Sequence, residues 1–324
     1  LTHFALLWNA EAVTKNITPY TSDIFLSILP LAHAFERTVG YYVPIMGGCT
    51  VAFSRSIGHF PADLKIIQPT VLLSVPRLYE RAYKAIKTAT AGDALNDLFL
   101  KLAVRLGWRK FEAAQGRARP LGSIENLVWS VLEKRVALPI KEKFGGNLRV
   151  AVTGGAPMPD EIAKLLVALG MPIVAGYGLT EAGPVVSSNA LEDNFPTSVG
   201  RPLEGIKVSI SDDGELLVRS PSAMSGYWND PTLTSKAQDA EGWIHTGDLA
   251  KIEDCRLFIT GRLTEILVLS NGKKANASLI EAELARDELF DQVLVVGEGK
   301  PFLVAICTLN RENWQAYAGQ HGLD

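Results

Sequence analysis

Apolar and polar positions alternate along this chain in two rhythms. "FALLWNAEAV" (Phe4 to Val13) has helical apolar spacing, and "DIFLSILP" (Asp23 to Pro30) reads as a buried strand ending at proline. "ERTVGYYVPIM" predicts a helix up to Pro44, "CTVAF" a short strand, "PADLKIIQ" a helix and "TVLLSV" a strand. "PRLYERAYKAIK" comes next as a helix with proline in its first turn. Strands alternating with helices predict an α/β fold around a parallel or mixed sheet. Residues 84–143 break the rhythm: they are helix-rich, hold no convincing strand and read as a helical insertion. "LRVAVTGGAPMPDEIAKLLVALGMPIVAGYGLTEAG" (Leu148 to Gly183) resumes the alternation.

After about Val199 the texture changes to short β-runs, "IKVSIS" and "GELLVRS", separated by Asp-Gly turns. This stretch predicts a β-rich barrel or sandwich. "SLIEAELARDELFDQVLVVGEGKPFLVAICTL" reads helix, strand, strand and begins a small α+β domain. The predicted division is 1–198 as an α/β part, 199–264 as a β-rich subdomain and 265–324 as part of a small C-terminal domain.

Composition narrows the class. With 324 residues, 47% hydrophobic and 21% charged, the chain is globular and long enough for two domains. A net charge of −3 argues against a nucleic-acid partner. Cys49, Cys255 and Cys307 form no CxxC pair, and with five scattered histidines they give no zinc signature and suggest a reducing compartment. No apolar run reaches the roughly 18 residues of a spanning helix. The first residues carry neither methionine nor an export signal, so the expectation is a cytoplasmic chain whose natural start is missing.

Candidate chemistry centres on "GYGLTEAG" (Gly176 to Gly183). Glycines let backbone approach a ligand closely. Tyr177 offers a flat face for a purine, Thr180 a hydroxyl for a phosphate oxygen, and Glu181 a hard oxygen ligand suited to Mg²⁺. Taken alone, the same octapeptide also fits a tight strand-to-turn connection. Its company points further. "VTGGAPMP" (Val152 to Pro159) puts small residues at a strand's end, where open α/β sheets bind ligands. "GWIHTGDLA" brings Asp248, whose two oxygens suit a ribose diol, and "ITGRLTEILVLSNGKK" brings Arg262, a planar donor. Asp248 as a turn residue and Arg262 as a surface ion pair are the structural alternatives.

Together these motifs resemble the acyl-adenylate-forming superfamily over essentially the whole chain. "ILPLAHAFERTVGYY" and "LLSVPRLYERAYKAI" look like its long-chain fatty acyl-CoA synthetase branch. The resemblance implies ATP, Mg²⁺ and coenzyme A as cofactor and co-substrates and a fatty acid as the acid to be activated. It implies an adenylate site of Gly155, Ala156, Gly176, Tyr177, Gly178, Thr180, Asp248 and Arg262, with Thr180 and Glu181 catalytic and Glu181 holding Mg²⁺. It further implies an acyl pocket at His33, Gly154 and Gly155, and a hinge at Glu265.

Three departures accompany the resemblance. "LTH" at the start matches the residues directly after the family's phosphate loop, and the loop itself is absent here. The late catalytic lysine is also missing, and Val268 and Asn271 stand where some relatives have lysine and glycine. The expectation is therefore a family member whose 324 residues alone are inactive. The rivals are ligation to an acyl carrier protein, release at the acyl-adenylate, and a non-catalytic adenylate- or lipid-binding fragment. No GxxxxGK[ST] occurs, which disfavours kinases. Residues 84–119 hold eight Lys/Arg against three Asp/Glu, with Trp108 and Phe111 among them. That composition predicts first a solvated helix face and, as the alternative, peripheral contact with the inner face of a membrane.

Overall fold

A computed structural model describes residues 1–90 and 92–323. Ala91, inside the expected insertion, and Asp324, in the expected small domain, lie outside the described residues. The first helix, α1 (His3–Asn16), is capped by Thr2, whose hydroxyl accepts the Ala5 N–H at 3.0 Å. Strand β1 (Ile24–Ser27) is next. A π-helical turn (Glu36–Tyr42) then runs into α2 (Val43–Gly47), and β2 (Thr50–Phe53) comes after it. The expected stop at Pro44 does not occur. In the wide turn the Val43 N–H bonds the Thr38 carbonyl, five residues back. Pro44 therefore falls in the first turn of α2, where a missing N–H costs nothing.

The alternation continues as predicted through α3 (Phe60–Ile67), β3 (Val71–Ser74) and α4 (Pro76–Thr90). The insertion is helical in all its described elements: α5 (Ala94–Ala114), α6 (Ser123–Leu132), a second π-helical stretch (Glu133–Ala137) and α7 (Leu138–Lys143). Then come β4 (Val150–Thr153), α8 (Asp160–Ala168), β5 (Ile173–Gly178), β6 (Val185–Ser188) and β7 (Arg201–Pro202). The seven strands form one sheet in the order β2-β1-β3-β4-β5-β6-β7. The first five are parallel, and β6 and β7 pair antiparallel, so the sheet is mixed. Central strands β3 and β4 are buried throughout, their polar ends Ser74 and Thr153 included, as strands covered on both faces should be.

A latch closes the N-terminal end of these strands. Asp23 accepts Arg149 Nε at 2.7 Å and the Thr70 hydroxyl at 2.8 Å, tying the entries of β1, β3 and β4 together. Burial raises the Asp23 carboxyl pKa, but the bonds from Arg149, Tyr20 and Thr70 outweigh it and hold it below the usual carboxylate range. Glu36, opening the first π-helical turn, is fully buried. Its Oε1 accepts the Ser27 hydroxyl at 2.5 Å, while Oε2 has no partner among the described residues. Burial pushes this carboxyl up to about 7 despite the bond from Ser27. Gly40 packs against the same carboxyl: a Cβ there would lie 2.8 Å from it.

Later residues give β8 (Lys207–Ile210), β9 (Glu215–Arg219), α9 (Pro231–Ala237), β10 (Ile244–Glu253) and β11 (Arg256–Arg262). The four strands form an open sheet in the order β11-β10-β9-β8, not the closed barrel that the short β-runs suggest. The chain ends with β12 (Ile266–Val268), β13 (Lys274–Asn276), α10 (Ala277–Leu284), β14 (Phe290–Val296), β15 (Val304–Leu309) and α11 (Arg311–His321). Here β12 pairs with β13 and β14 with β15, both antiparallel.

By its contacts the chain divides into two units. The first comprises Leu1–Ser209, Leu217–Thr246 and Ile252–Phe258; the second comprises Ile210–Leu216, Gly247–Lys251 and the residues from Ile259 onward. Among the described residues no helix is long and apolar enough to cross a membrane.

Candidate active site

In the first unit the predicted residues gather at the C-terminal ends of β4 and β5. These strands run parallel, with Thr153 beside Ala175. A methyl group placed on buried Gly154 would lie 3.4 Å from the Gly176 carbonyl oxygen and 3.8 Å from the Phe35 ring. Gly155 and Ala156 come next, both exposed. His33 is exposed just ahead of the first π-helical turn, where its carbonyl accepts the Arg37 N–H at 3.0 Å. Phe35, which carried no motif signal, is thus the aromatic residue that this segment sets against Gly154.

Tyr177 is half-buried on β5, opposite Ser187 of β6. Beyond it, Thr180–Ala182 make a short 3-10 turn. Two glycines of the motif answer to backbone approach. A Cβ on Gly178 would sit 1.9 Å from the Pro184 carbonyl oxygen. One on Gly183, whose φ is +92°, would sit 2.1 Å from the Ser222 carbonyl oxygen. At these two positions the tight-connection alternative is borne out, and it is this connection that sets the backbone carrying Thr180 and Glu181.

A buried network fixes the turn. The Asn9 side chain of α1 donates to the Val185 carbonyl at 2.8 Å and accepts the Val185 N–H at 3.0 Å. It also donates to the Ser222 hydroxyl at 3.3 Å, which in turn donates to the Ala182 carbonyl at 2.7 Å. The Met224 N–H bonds the Glu181 carbonyl at 2.7 Å. Glu181 itself is half-buried, and its Oε1 accepts the Tyr227 hydroxyl at 2.7 Å. That bond, with some burial and the nearby negative charge, pushes the Tyr227 phenol up to about 12, so it stays a donor.

The second unit holds the other predicted pair. Asp248 lies on β10, nearly buried and not in a turn, and accepts Arg262 Nε at 2.7 Å. The Arg262 side chain is 58% exposed. Glu265 closes the short 3-10 turn after β11 and accepts the Ser278 hydroxyl of α10.

Mg²⁺ can be tested against these residues. No group of three or more His, Cys, Asp or Glu that could hold a metal occurs among the described residues. Glu181 does present a carboxylate with one oxygen engaged by Tyr227, which leaves the other to a ligand. A single carboxylate completed by water and substrate phosphate oxygens is the usual Mg²⁺ arrangement, so the residues present fit it. Sequence reasoning missed Asn9, Ser222 and Tyr227, because their partners lie 176, 40 and 46 positions away.

Residues 1–228 match the family "AMP-binding enzyme", and residues 264–320 match "AMP-binding enzyme C-terminal domain". The long-chain-fatty-acid–CoA ligase FadD15 of Mycobacterium bovis is 34% identical over 90% of this chain and 48% of its own length. Long chain acyl-CoA synthetase 7, peroxisomal, of Arabidopsis thaliana is 30% identical over 100% of this chain and 47% of its own. The chain thus spans about half the length of these relatives. Among solved structures, ATP-bound MatB from Rhodopseudomonas palustris has a TM-score of 0.69 at 21% identity, covering 96% of this chain and 55% of that one. o-Succinylbenzoate CoA synthetase (MenE) from Bacillus subtilis, in complex with an acyl-adenylate, has 0.70 at 17%, covering 98% and 58%. At these identities the structures show the shared fold.

Proposed function

We propose, from the premise that the chain belongs to the AMP-binding enzyme family, that it serves ATP-dependent activation of a long-chain fatty acid to acyl-adenylate and then to a coenzyme A thioester. One observation carries this reading. The ends of two parallel strands bring Gly154, Gly176 and Tyr177 together, and the turn just beyond offers Thr180 and Glu181 on a backbone fixed from beneath. The names of the relatives support the same class of substrate.

A carboxylate resists nucleophilic attack because it is negatively charged and its oxygen leaves poorly. Its own attack on the α-phosphorus of ATP forms the acyl–phosphate bond and expels pyrophosphate. In this scheme the Tyr177 face covers adenine and the Thr180 hydroxyl donates to an α-phosphate oxygen. Asp248, oriented by Arg262, accepts from the ribose diol. Mg²⁺ bound at Glu181 would offset charge on the phosphates. The thiol of coenzyme A then attacks the acyl carbon, and AMP leaves. We assign the acyl pocket to His33, Gly154 and Gly155, and the hinge of the small C-terminal domain to Glu265. One relative, 27% identical, is named as a long-chain-fatty-acid–[acyl-carrier-protein] ligase, so carrier protein is the alternative acceptor.

The test, on an intact enzyme that includes these 324 residues, is fatty-acid-dependent ATP–pyrophosphate exchange, and then thioester formation with coenzyme A or carrier protein across acyl chain lengths. Glu181→Gln should lower exchange at least about 100-fold while leaving the thermal midpoint in place, since the amide keeps the shape and loses the charge. Exchange unchanged in that variant removes Glu181 from the chemistry. Exchange independent of any fatty acid refutes the substrate class.

A further inference from the structure

The basic stretch that predicted membrane contact changes character in three dimensions. Trp108 and Phe111, its two aromatic residues, pack against each other with ring centroids 5.3 Å apart and turn toward the hydrophobic core. They are not the apolar part of an exposed surface. That part lies instead on α6. One side of this helix buries Trp129 and Leu132. The other side presents Ile124, Leu127 and Val131, which are 80%, 68% and 59% exposed. Their spacing of three and four residues makes a single stripe along the helix.

The stripe is longer than α6. Helices α5 and α6 lie alongside each other in opposite directions. Arg109 pairs with Glu125 at one end, at 2.6 Å, and at the other the Arg135 guanidinium sits over the Phe99 ring, 4.5 Å from its centroid. Leu95 and Leu98, exposed at the start of α5, therefore fall at the same end as Val131 and Arg135. Five large aliphatic side chains are thus exposed on this antiparallel pair, a concentration that a soluble surface rarely leaves uncovered without an interaction to serve.

Charge says what covers it. Residues 94–143 contain ten Lys/Arg and five Asp/Glu, a net +5 in a chain whose total is −3. Three of those acids are already paired: Asp97 with Lys101, Glu112 with Arg117, Glu125 with Arg109. Lys134 and Arg135 are exposed immediately after Val131 and continue the stripe as cations on long aliphatic stems. Protein interfaces are anchored mainly by exposed Trp and Tyr, and this face has none. Aliphatic side chains beside lysine and arginine are what an interfacial helix presents to anionic headgroups.

We infer that the face formed by Leu95, Leu98, Ile124, Leu127 and Val131, with Lys134 and Arg135, docks on an anionic lipid bilayer. The inference deepens the proposed function, on which it rests for its purpose: a fatty-acid-activating enzyme meets its substrate where that substrate partitions. The apolar stripe enters the headgroup boundary and the two cations engage lipid phosphates above it.

Vesicle flotation with the purified chain tests this apart from any activity assay, so failure here and failure of the enzymatic assignment are separately visible. Binding is expected to vesicles of phosphatidylglycerol with phosphatidylcholine, weaker binding to phosphatidylcholine alone, and a decline with added salt. Lys134→Ala with Arg135→Ala should weaken binding by roughly 30-fold, at about 1 kcal/mol per cation near the surface. Leu127→Asp with Val131→Asp should abolish it. Both pairs are exposed, so unchanged melting curves verify folding. A control pair, Lys207→Ala with Lys236→Ala, removes the same charge elsewhere and should leave binding intact. Equal binding to neutral and anionic vesicles overturns the inference, as does indifference to the aspartate pair. A concentration-dependent dimer that needs Leu127 and Val131, without vesicle binding, assigns the face to a second copy and overturns it too.

Discussion

In the first unit, the Thr180–Ala182 turn is set by backbone packed on backbone and by a buried side-chain network reaching back to Asn9. In the second, Asp248 accepts a charge-assisted bond from Arg262, whose side chain is mostly in solvent. The difference is one of tolerance. A position fixed by carbonyl oxygens about 2 Å from a would-be Cβ admits no variation. One fixed by an exposed guanidinium can be weakened by degrees.

The largest effect should come from breaking the rigid half. Gly183→Ala adds a Cβ to a left-handed residue against the Ser222 carbonyl. We expect a loss of about 3 kcal/mol or more in urea unfolding, with binding of a non-hydrolysable acyl-adenylate analogue lost as well. Gly183→Ala with wild-type stability would show that the turn yields more easily than its packing implies.

Next in size is a pH dependence built into the same unit. The Glu36 carboxyl titrates near 7 when folded, above its unfolded value near 4.5. A raised carboxyl pKa means the folded state holds the proton more tightly. Its stabilising contribution is full below about 4.5, declines between there and 7, and is gone above. The shift corresponds to something on the order of 3 kcal/mol. Glu36→Gln cannot ionise, so its stability relative to wild type should rise across that interval and level off above it. Parallel stability–pH curves for the two proteins would disprove the assignment.

The smallest structural effect belongs to the adjustable half. Arg262→Lys should change unfolding free energy by less than about 0.5 kcal/mol, because the pair is largely solvated on the arginine side. Calorimetry should nevertheless show analogue affinity reduced about tenfold, since a planar donor fork is replaced by a point charge. A large stability loss with affinity unchanged would reverse the contrast between the halves.

The sequence displayed some of this plainly. "TVLLSV" and "LRVAV" read as buried strands, because a short apolar run in a parallel sheet is covered on both faces. The glycines of "GYGLTEAG" marked a tightly packed turn. The reason for Gly178 was hidden, because it is the carbonyl of Pro184 folded back across a hairpin. Pro44 misled for a related cause: a π-helical turn shifts the hydrogen-bond register by one, and no residue-level propensity encodes that shift. Asn9 sits in an ordinary amphipathic helix and became legible only when Val185 and Ser222 arrived beside it. The short strands after Val199 had the composition of a barrel, but closure depends on how many strands pair, which local pattern does not count.

Glu36 and Gly40 have a consequence for how this sequence can drift. A carbon added at position 40 would require the Glu36 carboxyl, 2.8 Å away, to shift. A side chain gained at 40 is met either by a swing of the Glu36 side chain, whose far end is what stands in the way, or by a shorter residue at 36. Relatives with alanine or serine at the equivalent of Gly40 should therefore carry a smaller residue at the equivalent of Glu36 more often than relatives that keep the glycine.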